Sequence, residues 1–332
     1  MKKIVSLLCA ALLMLAAGCG TVQKSQSETV SIGLLPLTSS APLFIGLEKG
    51  FFREEGLDVK PVWFGAAQPI TVAAASNTID VGATGLTASL YNMAAAGRPV
   101  IITADKGREV PKFPSSVLIV RSDSPFQSLS DLKGHSFAMT TAGSSFEYMM
   151  GRMMSQEGMH PEDIRFLPLR SLGSVMAAVK TGKADSAIVN EPNGTKAERA
   201  GWARIIAHVG DTLPYQTSAV FYSPAFSLDH DRAVRFMKAY IRSCRWYYDH
   251  VLTASDRQSP DYQEGIAIIS RYTKAPPADV MNGLPWIDRD GRLMEEDIPS
   301  QIQWYQKEHL VTDSVPTIMD MSYWQEAEKE LS

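Results

Sequence analysis

Strand-like apolar runs alternate with helix-period segments along almost the whole chain, and this order constrains the fold more than any other feature of the sequence. From Thr29, TVSIGLLPL reads as a strand. SSAPLFIGLEKGFFREEG follows as a helix, with Leu43, Phe44 and Leu47 at helical spacing and Gly56 as its stop. LDVKPVWF predicts a second strand, PITVAAASN a short helix, IDVGATG a third strand ending in a glycine turn, and LTASLYNMAAAG a helix that stops at Gly97. Strands joined through helices lie parallel, so this series predicts a parallel sheet covered by helices.

A second series begins near Ser115. SSVLIV is a strand, SLSDLKG a short helical turn, HSFAM a strand, and TTAGSSFEYMM the entry to a helix; IRFLPL, SLGSVMAAVKTG and ADSAIVN repeat the rhythm. The segments IITADKGREVPKFP and VGDTLPYQT combine charge, glycine and proline and read as two extended crossings. The prediction is an α/β protein of two lobes, each a mostly parallel sheet flanked by helices, with residues 29–105 plus 217–332 in one and 106–216 in the other. After the second crossing, SAVFYS is a strand, and DHDRAVRFMKAYIRSCRWYYDHVL places Ala233, Met237, Tyr240, Ile241, Cys244, Tyr248 and Val251 on one broad helix face. The methionines at 149, 150, 153 and 154 read as packing.

The N-terminus predicts export. Lys2 and Lys3 precede IVSLLCAALLMLAA, an apolar run of about 14 residues that suits a signal peptide over 1–18 and is too short to span a bilayer. The run ends LAAGC, which resembles the lipobox of bacterial lipoproteins, with Ala16 where leucine is usual and Leu15 one place earlier. That resemblance implies lipidation of Cys19 and a flexible tether over 19–28; a plain secretory signal is the alternative. Cys9 lies in the signal and only Cys244 remains in the body, so no disulfide framework is expected. The net charge of −4 argues against a nucleic-acid partner.

Signatures of common chemistries are absent. His135, His160, His208, His230, His250 and His309 are scattered, with no HExxH and no zinc spacing. There is no GxSxG elbow, no phosphate-binding loop and no GxGxxG behind a strand. DRDG at 288–291 is not a calcium loop, because Trp286 stands where the first oxygen ligand belongs. No metal and no cofactor are expected.

The order of elements and the strings PLFIGLEKGFFREEGLDV, AAASNTIDVGATG, SLSDLKGHSFAM, AAVKTGKADSAIVNEP and IQWYQKEHLV…MDMSYW resemble the solute-binding lipoproteins of bacterial ABC importers, in the nitrate/sulfonate/taurine and thiamine-precursor (NMT1/THI5-like) group. The resemblance implies a two-lobed, type II periplasmic-binding-protein fold and a monomeric, non-enzymatic receptor. It would be held at a membrane outside the cytoplasm and pass a sulfonate-, taurine- or nitrate-like solute to a permease. A thiamine pyrimidine precursor is the alternative solute. A small-carboxylate lyase on the same fold and a sensor lipoprotein are alternatives of another class.

In open α/β sheets, ligands bind beyond the carboxyl ends of strands, where helix N-termini leave N–H groups free. That rule selects Ser39 and Ser40 after the first strand, Trp63 as a stacking wall with Gln68 after the second, and Thr84, Gly85 and Thr87 after the third. In the second lobe it selects Thr140, Thr141, Ser144 and Ser145, more hydroxyls than one helix cap uses. The family resemblance adds Asn190 and Glu191, with Glu191 accepting from a solute amino group. Lys106 and Arg108 can neutralise an anion, but solvated hinge charges are the simpler reading. Tyr215 is considered as a gate.

Overall fold

The computed structural model describes residues 27–113 and 115–332. Ten strands run in chain order: β1 (Glu28–Leu34), β2 (Leu57–Trp63), β3 (Val81–Gly85), β4 (Ile101–Glu109), β5 (Ser116–Arg121), β6 (Ser136–Met139), β7 (Arg165–Pro168), β8 (Ser186–Asn190), β9 (Ala203–His208) and β10 (Tyr215–Tyr222). They form two five-stranded sheets, ordered β2-β1-β3-β10-β4 and β7-β6-β8-β5-β9.

Each sheet is mixed, where the sequence predicts mostly parallel ones. β1 pairs β2 and β3 in parallel, but β10 runs antiparallel to both β3 and β4. In the second sheet β6 is parallel to β7 and β8, while β5 is antiparallel to β8 and β9. The odd strand in each sheet is the first one after a crossing. It enters from the hinge side, so it runs against its neighbours, and alternation along the sequence carries no trace of that direction.

Both sheets share one local device. Ser31 donates through N and Oγ to Asp80 Oδ2, each at 2.7 Å, and Ser136 donates to Asp185 Oδ2 at 2.8 and 2.6 Å. The partners are 49 residues apart in both cases, so the strand–helix–strand unit is built twice to the same length.

Helices cover the faces. Leu43, Phe44 and Ile45 of the helix Ala41–Lys49 are buried against the first sheet, together with Phe236, Met237, Tyr240 and Ile241 of the helix His230–Tyr247. The first helix ends earlier than its sequence period predicts. Gly50 takes a left-handed φ of +81° and starts a separate short helix, Phe51–Glu54. Every residue of β10 is buried, as a central strand covered on both faces requires. The first crossing is shorter than expected, because β4 continues as a strand to Glu109. Cys244 is buried and free. No helix among the described residues is long and apolar enough to cross a membrane.

Candidate functional site

A cavity lies between the sheets, at the carboxyl ends of β1, β3 and β8 and against the hinge ends of β4 and β10. It encloses about 40 Å³, and one water needs roughly 10–15 Å³ on that measure. The space therefore suits a compact polar group of a few heavy atoms.

Two bulges aim residues into it. Ser218 pairs with Gly107 and Ala219 with Asp105, which leaves Lys106 as an extra residue on β4; Gln216 pairs with Arg108 and Ser218 with Gly107, which leaves Thr217 extra on β10. An extra residue bends its strand and re-aims its side chain, here into the cavity from both strands. Gly107 accommodates the bend with a φ of +150°.

Lys106 is only 2% exposed, and its Nζ donates to Ser39 Oγ at 2.8 Å. Burial pushes the amine down to about 7, against the opposing pull of Asp105. That carboxylate is occupied elsewhere: Oδ1 accepts from Gly107 N at 2.7 Å and Gln216 Nε2 at 2.6 Å, and Oδ2 from Asp288 N at 2.8 Å. The Arg108 guanidinium is 3.3 Å from the same Oδ2 and also donates to the Arg292 carbonyl, so Arg108 serves the hinge and not the cavity.

Around the amine, the hydroxyls of Thr84, Thr87 and Thr217 line the cavity, are buried, and have no hydrogen-bond partner. Buried polar groups are normally satisfied, so three open hydroxyls facing one cavity mark a place for a ligand. Asn190 donates through Nδ2 to Ser116 Oγ at 3.0 Å and lines the far side with Thr140, Thr141 and Ser145. Leu35, Leu37, Phe146 and Leu172 make an apolar wall. Among the described residues, no carboxylate, histidine or cysteine contributes to the lining.

The stretch TTAGSSFEYMM divides by position. Ser144 caps the helix Ser145–Gln156, accepting from Glu147 N at 3.4 Å, and Glu147 Oε2 accepts in turn from Gly143 N at 2.6 Å. Ser145 faces Gly85 across the cleft, with its Oγ 3.0 Å from where a Cβ on Gly85 would sit. Further contacts hold the lobes shut: Ala88 N donates to Gly143 O at 2.8 Å, Leu172 N to Gly65 O at 3.3 Å, and Thr38 Oγ1 to Glu191 O at 3.1 Å. At the rim, Arg199 pairs with Asp279 at 2.8 Å.

Of the residues selected from sequence, Ser39, Thr84, Gly85, Thr87, Thr140, Thr141, Ser144, Ser145 and Asn190 meet at this cavity. Four do not. Ser40 Oγ turns back to the Leu35 carbonyl at 3.2 Å. Trp63 is 47% exposed and packs outside, 6.1 Å from Phe44 and 6.2 Å from Tyr272 between ring centroids, because it ends the edge strand β2. Gln68 is half-buried on the helix Ala67–Ala75, away from the lining. The Glu191 carboxylate, pushed up to about 7 by burial, accepts from Thr195 N at 3.0 Å and Thr195 Oγ1 at 3.1 Å; only its carbonyl reaches the other lobe. Tyr215 is buried in the core and does not line the cavity. Sequence reasoning passed over Thr217, Ser218 and Ser115 and set Lys106 aside, because neither a bulge nor an antiparallel insertion has a composition signature.

Two α/β lobes closed on a small polar cavity form a site suited to holding a compact solute between them. The NMT1/THI5 like family matches residues 37–252, most of the described chain, and the protein belongs to it. Among relatives, the binding protein YtlA of Bacillus subtilis is 25% identical over 295 residues, covering 81% of this chain and 86% of its own. A second Bacillus subtilis protein, named for binding aliphatic sulfonates, is 26% identical over 258 residues and 75% of each chain. The crystal structure of the nitrate-binding protein NrtA from Synechocystis PCC 6803 superposes with a TM-score of 0.73 at 18% identity, covering 92% of this chain and 90% of that one.

Proposed function

We propose that this protein is the receptor of an ABC importer that captures a small organic anion, an alkanesulfonate or a close analogue, by closing its lobes and delivers it to a permease. The observation that carries this reading is the buried Lys106 amine beside three unpartnered hydroxyls in a cavity without a carboxylate. A cation would meet no acceptor charge there, and an anion meets one ammonium and several donors. The apolar wall of Leu35, Leu37, Phe146 and Leu172 suits a short alkyl tail. Taurine fits less well than an alkyl sulfonate, since its ammonium would lack a partner. The pyrimidine reading loses both residues it relied on, with Trp63 outside the cavity and Glu191 engaged by Thr195. Among the described residues the lining carries no titratable carboxylate, histidine or cysteine beside Lys106, which favours a receptor over a lyase.

Lobe closure drives transport only through contacts that the solute gains in the closed form. The cavity supplies them from both sides: Lys106, Thr84 and Thr87 come from one sheet and its helices, Asn190 and Ser145 from the other. Placement outside the cytoplasm and anchoring through lipidated Cys19 complete the reading; Cys19 lies outside the described residues. A monomer delivering to a permease is proposed over a sensor partner.

A thermal-shift screen of ethanesulfonate, nitrate, bicarbonate, taurine and a neutral aminopyrimidine tests the reading. A solute at 100 times its dissociation constant adds about 2.7 kcal/mol of stability. Stabilisation by ethanesulfonate or nitrate and none by the pyrimidine is expected; stabilisation by the pyrimidine alone would overturn the assignment.

A further inference from the structure

Lys106 is the one charged side chain among the described residues that line the cavity, and it is held there by a hydroxyl and not by a carboxylate. We propose that Lys106 selects the solute by charge and couples its capture to a proton: the lobes close on an anion only while the amine is an ammonium, so that binding above neutral pH draws one proton from solvent. This rests on the anion reading of the same cavity.

The surroundings of the amine decide the matter. On β4 itself the flanking charges are Asp105, Arg108 and Glu109. Asp105 spends both oxygens on Gly107, Gln216, Asp288 and Arg108. Glu109 is fully buried, and burial pushes its carboxyl up to about 8 against the opposing pull of Ser116 and Ser115, so it adds little negative charge near neutrality. From β8 and its loop, the Glu191 carboxylate turns to Thr195. From the segment after Trp286, Asp288 Oδ1 accepts from Asp290 N and Arg292 N. On the helix Ser145–Gln156, the Glu147 carboxylate is taken by Gly143 N. β10 and the turn Thr38–Ser40 present only the hydroxyls of Thr217, Ser218 and Ser39. The cavity lining therefore offers Lys106 no counter-charge, and the pull of Asp105 from outside the lining does not offset burial, which carries the amine down to about 7.

An anion placed beside the amine supplies the missing charge and favours the ammonium, so solute and proton help each other bind. The sign follows. Below the amine's value in the empty protein, the proton is already present and affinity does not vary with pH. Above that value the proton must be taken up on binding, and the dissociation constant rises by close to tenfold per pH unit until the complex itself loses the proton.

The test has two readouts. In the solute-free protein with ¹³Cε-labelled lysine, the Lys106 resonance, assigned by its loss in Lys106→Arg, is expected to titrate near neutrality, well below the ordinary lysine range. Calorimetry with ethanesulfonate and with nitrate, in bis-tris and tris buffers that carry no anionic group, is expected to show uptake of about one proton at pH 8 and a rising dissociation constant above neutrality. In Lys106→Arg, whose guanidinium stays charged, the slope is expected to vanish. An amine that titrates in the ordinary lysine range while an anion still binds overturns the coupling alone. A pH-independent dissociation constant across neutrality does the same. An amine that titrates near neutrality with neither anion binding at any pH overturns the anion reading and the coupling with it.

Discussion

Replacing Lys106 by methionine should make the empty protein more stable, although it removes the charge that the cavity is built around. The unfolded amine keeps its proton to about 10.5, whereas the folded amine releases it at about 7. Between those values the unfolded state binds more protons, so stability rises with pH across this window, and below it the folded state carries the whole penalty. At about 1.4 kcal/mol per pH unit the penalty at pH 6 is about 5 kcal/mol as an upper bound. Methionine keeps the length of the stem and removes the charge, but it leaves the Ser39 hydroxyl without its donor, a loss of about 1 kcal/mol. Local relaxation around a buried charge reduces the remainder, so a net gain of about 2–3 kcal/mol, or roughly 4–8 °C in Tm, is expected at pH 6. Differential scanning calorimetry at pH 6 and pH 9 measures it, and the gain should shrink by half or more at pH 9, where the wild-type amine is already neutral. A lower Tm for Lys106→Met at pH 6, or a gain equal at both pH values, would refute the claim that burial of the Lys106 charge outweighs the pull of Asp105.

The other predictions concern closure, the divided hydroxyl cluster and the anchor. Gly143 has a φ of +71°, and a Cβ there would meet Ala88 Cβ at 2.5 Å across the cleft, so Gly143→Ala should hold the lobes apart. Its solute affinity should fall at least tenfold, with a larger radius of gyration by small-angle scattering in saturating solute; an unchanged radius argues against this contact as a closure point. Ser144→Ala should lose about 1 kcal/mol of stability in urea denaturation through the missing cap. Ser145→Ala should leave the urea midpoint nearly unchanged and weaken ethanesulfonate binding by about tenfold or more, the loss of one hydrogen bond to a charged partner. If both variants behave alike, the two serines do not divide capping from binding. Cys19→Ala should move the protein from the membrane fraction to the soluble extract, and persistence at the membrane would rule out a lipid anchor at this cysteine.

The alternation of elements was legible because it follows from side-chain periodicity. Leu43, Phe44 and Leu47 mark a helix face, and Val81 to Gly85 a strand, whatever their neighbours. The helix-entry serines and threonines were legible for a related reason, since Ser144 and Thr84 sit where a strand ends and unpaired N–H groups begin. Selection by position in the chain then overreached at Trp63 and Glu191. Both follow strand ends, but one lies on the sheet's outer edge and the other turns its carboxylate to a helix beginning at Asn193.

The sequence by itself determined that this chain makes two strand–helix–strand units, where each unit's ligand-facing loops begin, and that no common catalytic motif is present. Those properties are local, set by residue periodicity and by the four unpaired amides at a helix start. Only the tertiary structure decided which of those loops meet. The returning strand β10 inserts antiparallel beside β4, and the mismatch between their registers throws Lys106 and Thr217 out of the ladder and into the cleft. A bulge is a relation between two strands about 110 residues apart, as the bond from Gln216 to Asp105 across 111 positions illustrates, so neither segment alone carries a sign of it. For the same reason a lysine that composition assigns to solvent becomes the buried charge of the site: its environment is supplied by residues that only the closed pair of lobes brings together.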